Sequence, residues 1–273
     1  MLSATELSVL GPAFVAGLLV LATHVPLGRM VLDRGIVFID LAIAQVAGLG
    51  VVVADGLGWE PNGLSVQASA VSAALLAAGF LIWTERRLAH MQEAIIGVVF
   101  VVAASAEIIL FSFNPHGAEH LKDLLVGQII WVTNRQLSAA AIVSALVLCA
   151  TAYCDLAKHR AIFYALFAIS ITVSVQLAGV FLVFASLIIP ALTARGTRRP
   201  VLIGYTVGLG GYVFGLLLST ALDLPTGAAI VCALAATSAV VGLARWHRWQ
   251  PNTESKLAGG TNEIDRTDLS QRP

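Results

Sequence analysis

Long charge-free runs restrict this chain more than anything else in it. Residues 177–194 are eighteen consecutive positions without charge, enough at about 1.5 Å per residue to cross most of a hydrocarbon core about 30 Å thick. The run then meets Arg195, Arg198 and Arg199, the residue type that accumulates in cytoplasmic loops. Pro190 lies late in the run and removes a backbone donor there, which predicts a kink before the chain leaves the bilayer. Comparable runs recur along the chain. With 58% hydrophobic and 12% charged residues over 273 positions, the composition excludes an ordinary soluble domain. It predicts an all-α, polytopic membrane helix bundle of eight or nine spans.

Nine spans account for the pattern: 7–27, 36–54, 66–83, 94–113, 137–153, two helices from an overlong apolar region 161–194 split near 176–179, then 201–222 and 226–244. Running the odd spans inward collects eleven basic residues on one side, including Arg29, Arg34, Arg86, Arg87, Lys158 and Arg160, against Lys122 and Arg135 on the other. That asymmetry marks the basic side as cytoplasmic, with the N-terminus outside and the C-terminus inside. If 161–194 were one tilted helix, eight spans would result and every earlier loop would change sides. Residues 1–8 carry no basic residue, so the first span reads as retained rather than as a cleaved leader. Residues 1–250 then form the transmembrane domain, and the polar segment 251–273 reads as a disordered cytoplasmic tail.

Formal net charge is zero, with 16 basic and 16 acidic residues, which argues against nucleic acid as a partner. Cys149, Cys154 and Cys232 form no CxxC pair and read as buried small residues. Gly204, Gly208, Gly211 and Gly215 line one helix face, suited to close packing within the subunit or between subunits. No P-loop, nucleophile elbow or HExxH motif occurs, so neither ATP hydrolysis nor other catalysis is expected on this chain.

The polar residues that a bilayer penalises are the informative ones. Asp40 and Glu107 each cost about 2.5 to 3.5 kcal/mol at a span centre, so each requires a partner, water or a cation and is a candidate for a transport path. A helix N-terminus stabilises Asp40 without any function, and a structural role weighs about equally for both. Gln45, in the same span as Asp40, suits an interhelical hydrogen bond or a carbonyl ligand to a cation. His24 ends the first span and reads as a satisfied interfacial histidine. In the loop 114–135, His116, Glu119, His120 and Asp123 fall at i, i+3, i+4 and i+7. On a helix over 115–128 they share one face, suited to zinc or manganese. An amphipathic helix lying on the membrane produces the same pattern without a metal.

Four blocks in order resemble the zinc/manganese/iron permeases of ATP-binding-cassette importers. They are Arg34-Gly-Ile-Val-Phe-Ile-Asp-Leu-Ala-Ile-Ala-Gln45; Glu93-Ala-Ile-Ile-Gly97 with the later Leu125-Val-Gly-Gln-Ile-Ile-Trp131; the run from Gly179 to Ala194; and Ser219-Thr-Ala-Leu-Asp-Leu-Pro-Thr-Gly-Ala-Ala-Ile-Val231. The resemblance implies a bacterial cytoplasmic-membrane permease that works as a dimer, homodimeric by expectation. It further implies two ATP-binding subunits, an extracytoplasmic metal-binding protein and no permanently bound cofactor. Zinc is the first expected cargo, manganese or iron next, and Ala191, Arg195, Arg198 and Arg199 take the ATPase-docking position. The family pattern places a histidine four residues after the aspartate, where this chain has Ala44. Two alternatives stay open: a permease for a metal chelate of siderophore type, and a proton-coupled secondary carrier.

Overall fold

The structure, a computed structural model, describes residues 4–59, 63–111, 129–156 and 158–246. All its regular elements are helical: α1 (Ala4–Arg34), α2 (Ile39–Gly56), α3 (Leu64–Arg87), α4 (Gln92–Phe111), α5 (Asn134–Tyr153), α6 (Arg160–Ala178), α7 (Val180–Ala194), α8 (Pro200–Leu222) and α9 (Thr226–Trp246). Short 3₁₀ turns at Ala89–Met91 and Ile129–Trp131 precede α4 and α5. Among the described residues, eight helices are long and apolar enough to span a membrane, whereas α7 is shorter. Its 15 residues rise about 22 Å, less than a hydrocarbon core.

Local chemistry explains the boundaries. The expected break between α6 and α7 falls at Gly179, whose φ of 78° is left-handed and open to glycine at little cost. Thr133 and Gln136 cap α5 reciprocally, the Gln136 amide donating to Thr133 Oγ1 at 3.3 Å and the Thr133 amide to Gln136 Oε1 at 2.9 Å. The tight turn at Asp223 between α8 and α9 is closed by Ser219 Oγ, which donates to the Leu224 carbonyl at 2.7 Å.

The first span differs from expectation. Gly28 and Arg29, expected beyond the end of the span, lie inside α1, which continues to Arg34. The reason is packing: Gly28 sits against the Leu187 carbonyl and Ala191 of α7, so this stretch is a helix–helix contact and not a loop. His24 is consequently internal and 0% exposed. Its Nδ1 lies 2.8 Å from the Val20 carbonyl, and Nε2 has no partner among the described residues. The cysteines also differ: all three are exposed, on faces of the subunit where a thiol can lie against lipid.

Side-chain contacts give the helix directions. Val25, Leu21 and Tyr212 meet Gly204, Gly208 and Gly17, so α1 and α8 run antiparallel. Ser219 to Thr226 and Gly211 to Leu234 make α8 and α9 antiparallel. Ser144 reaches the Leu19 carbonyl, and Arg34 Nη2 reaches the Leu156 carbonyl, so α1 and α5 run in parallel. The glycine stripe is thereby resolved. Gly204 and Gly208 admit α1 and Gly211 and Gly215 admit α9, all within the subunit.

One end of the bundle gathers the termini that carry basic residues. There Arg34 donates to Leu156 O at 2.8 Å and lies 4.0 Å from the Phe163 ring centroid, Arg160 pairs with Glu85 at 3.3 Å, and Thr84 donates to Gln92 at 3.0 Å. These contacts tie the ends of α1, α3 and α5 to the starts of α4 and α6. By contacts the chain divides after Ser238. The first unit holds α1 to α8 and the start of α9; the second begins at Ala239 with the last turns of α9.

Candidate functional site

Asp40 is the second residue of α2 and 1% exposed. Neither of its carboxylate oxygens has a hydrogen-bond partner among the described residues. Glu107, 2% exposed, comes from α4 and lies against Gly48 of α2, in space that a β-carbon would fill. Among the described residues no basic side chain pairs with either carboxylate. Eight positions of helix separate Asp40 from Gly48, about 12 Å along the axis, so the two acids occupy different depths of one α2–α4 seam. Gln45 is also buried in α2, between those levels, and Ala44 fills the position four after Asp40.

The basic turn after α7 is compact. Thr197 closes it, its amide and hydroxyl both donating to the Ala194 carbonyl at 3.2 and 2.7 Å, and Gly196 takes a left-handed φ of 70°. Arg195, Arg198 and Arg199 project outward and exposed, while Ala191 is buried against Gly28. Ala191 therefore anchors the turn to α1, and the arginines present it.

At the opposite end a cavity of about 560 Å³ is lined by Leu64, Gln67, Trp131, Arg135, Gln136 and Gln176 among others. His116, Glu119, His120 and Asp123 lie outside the described residues. Among the described residues no three histidines, cysteines or acids converge as a metal cluster.

Sequence reasoning passed over Glu93. It is the second residue of α4, as Asp40 is of α2, and its Oε1 accepts the Phe38 amide at 3.3 Å. The available signal was its place at the head of the second resembling block.

Comparison with known proteins adds the family. Residues 6–157 and 155–245 match the ABC 3 transport family. A curated relative from Haemophilus influenzae, named "Probable iron transport system membrane protein", is 25% identical over 168 residues, 53% of this chain and 62% of the relative. The chain thus aligns with less than two thirds of that relative's length. Among solved structures, PsaBC from Streptococcus pneumoniae in complex with Fab is similar with a TM-score of 0.68 at 20% identity, over 85% of this chain and 90% of that one. A transporter described as of metal-chelate ABC type, in an inward-facing conformation, is similar with a TM-score of 0.63 at 15% identity, over 84% of each chain. These likenesses support the fold, and the family match spans nearly the whole chain. With its apolar helices and buried carboxylates, the chain belongs to the ABC 3 transport family as a multi-pass membrane permease subunit.

Proposed function

We propose that this chain is the membrane-spanning subunit of an ATP-driven importer for a divalent transition-metal ion, with zinc first and manganese or iron next as cargo. One observation carries the reading within the family: Asp40 is buried at a helix start with no cationic partner in its own chain among the described residues. A carboxylate so placed costs several kcal/mol unless a proton, water or cation joins it. Gln45 and Glu107, at other depths of the same seam, offer further positions on the path. In the outer loop, His116, Glu119, His120 and Asp123 are candidate first contacts for metal arriving from an extracytoplasmic binding protein.

ATP hydrolysis belongs to a separate subunit that grips the turn bearing Arg195, Arg198 and Arg199. Their common end with Arg34, Arg86, Arg87, Lys158 and Arg160 supports a cytoplasmic assignment, with the N-terminus outside and the C-terminus inside a bacterial cytoplasmic membrane. Two permease subunits, identical in the simplest case, would enclose the path, and closure of the ATPases would rock the helices around it. Residues 251–273 would extend from this domain as a polar cytoplasmic tail. The test is association: Arg195→Glu with Arg198→Glu should abolish co-purification of the ATPase while the membrane level of the permease stays unchanged. Undiminished association would remove this turn from the interface.

A metal-chelate cargo is the second reading. It is favoured by the cavity at the opposite end, whose glutamines and Arg135 suit an oxygen-rich organic ligand. Chelated and free metal supplied separately to uptake assays distinguish the two.

A further inference from the structure

We propose that Glu93 joins Asp40 in a divalent-cation site at the shared start of α2 and α4. The inference rests on the pathway reading of Asp40 and supplies the second ligand left wanting where Ala44 stands in place of histidine.

Placement comes first. α2 and α4 pack together and run in parallel, since Glu93 reaches Phe38 at their starts and Glu107 reaches Gly48 further along both helices. Asp40 and Glu93 each occupy the second position of their helix, and the Phe38 amide that Glu93 accepts lies two residues before Asp40. Phe38, whose amide Glu93 accepts, is 48% exposed, so the pair lies just beneath the subunit surface.

Capping accounts for only part of this arrangement. Glu93 Oε1 satisfies the Phe38 amide, one of the orphan donors of the α2 start. Its Oε2 is buried and has no partner among the described residues, and the same holds for both oxygens of Asp40. Three buried carboxylate oxygens at the paired helix starts therefore lack a hydrogen-bond donor among the described residues. The two helix starts supply roughly half a positive charge each, too little for two carboxylates. The nearest arginine in sequence, Arg34, is committed to the Leu156 carbonyl and the Phe163 ring. Adjacent acids in this state take up either a shared proton or a cation. An oxygen-only donor set suits a harder ion such as manganese better than a site with imidazole does. It also needs no rearrangement of the cap, because Oε1 keeps its amide while Oε2 turns to the metal.

The experiment uses the full chain co-purified with its ATPase in lipid nanodiscs, with Mn²⁺ as the probe and free Mn²⁺ followed by electron paramagnetic resonance. Native protein should bind Mn²⁺, with Zn²⁺ competing. Glu93→Gln should weaken binding at least tenfold without lowering the unfolding temperature, because the amide oxygen of glutamine still caps Phe38. Asp40→Asn should weaken it similarly. Native affinity in Glu93→Gln alongside loss in Asp40→Asn would overturn the role of Glu93 and leave the pathway reading standing. Native affinity in both variants would remove Asp40 from the pathway as well. Absence of Mn²⁺ binding by the native protein, with an infrared band of a protonated carboxyl that Asp40→Asn removes, would replace the cation with a shared proton and overturn the site.

Discussion

Two regions of the bundle treat polar groups in opposite ways. Where α1, α7, α8 and α9 meet, hydroxyls find partners inside the chain: Ser186 with Tyr212 at 3.0 Å, Ser219 with Thr226 at 2.8 Å, Tyr205 with the Ala22 carbonyl at 3.0 Å. Glycines there let backbones close on one another; a β-carbon at Gly211 would stand 2.9 Å from the Leu234 Cα. Along the α2–α4 seam, Asp40, Glu93 and Glu107 place carboxyl groups inside the subunit without a basic partner among the described residues. Water is absent from a bilayer interior, so polar groups there are satisfied within the protein or by what passes through it. In the proposed reading the first region is scaffold and the second is the path.

Substitutions can break this comparison. The largest effect on folding is expected from Gly28→Val, which drives a side chain into the Leu187 carbonyl and, through its β-carbon, to 3.2 Å from Ala191 Cβ. Overpacking of this kind costs about 1–3 kcal/mol, so the unfolding temperature in detergent and the membrane level should both fall. An unaltered transition would mean that α1 and α7 are not in close contact. Asp40→Asn should do the reverse. Metal uptake should drop at least tenfold, equivalent to about 1.4 kcal/mol, while the unfolding temperature holds or rises, because a neutral amide is cheaper to bury than a charge. Parallel losses of uptake and stability would put Asp40 in the scaffold. The smallest effect sharpens the contrast: Ser186→Ala should cost about 0.6 kcal/mol, the average for a hydrogen bond between membrane helices. Uptake per folded molecule should stay native, and a specific transport defect in this variant would carry the path into the α7–α8 contact.

The spans were legible because charge-free length is a direct consequence of bilayer thickness, and the split at Gly179 because glycine tolerates the backbone that interrupts a long apolar run. The end of α1 was less so. Gly28 and Arg29 look like a loop in one dimension, and only the neighbouring α7 backbone turns this stretch into a packing surface. The glycine stripe of α8 announced close approach, but not that α1 takes one half of it and α9 the other. Asp40, Gln45 and Glu107 stood out as costly residues in apolar spans. Glu93 did not, since the start of a helix is a comfortable place for an acid. Its nearness to Asp40 comes from the parallel pairing of α2 with α4, a tertiary fact with no local signature.

The most direct test of the account is uptake of radioactive zinc and manganese by proteoliposomes that contain this chain with its ATPase. Accumulation should require ATP, persist when the proton gradient is dissipated, and disappear in Asp40→Asn. Accumulation by the chain without an ATPase, collapsing with the proton gradient, would contradict it.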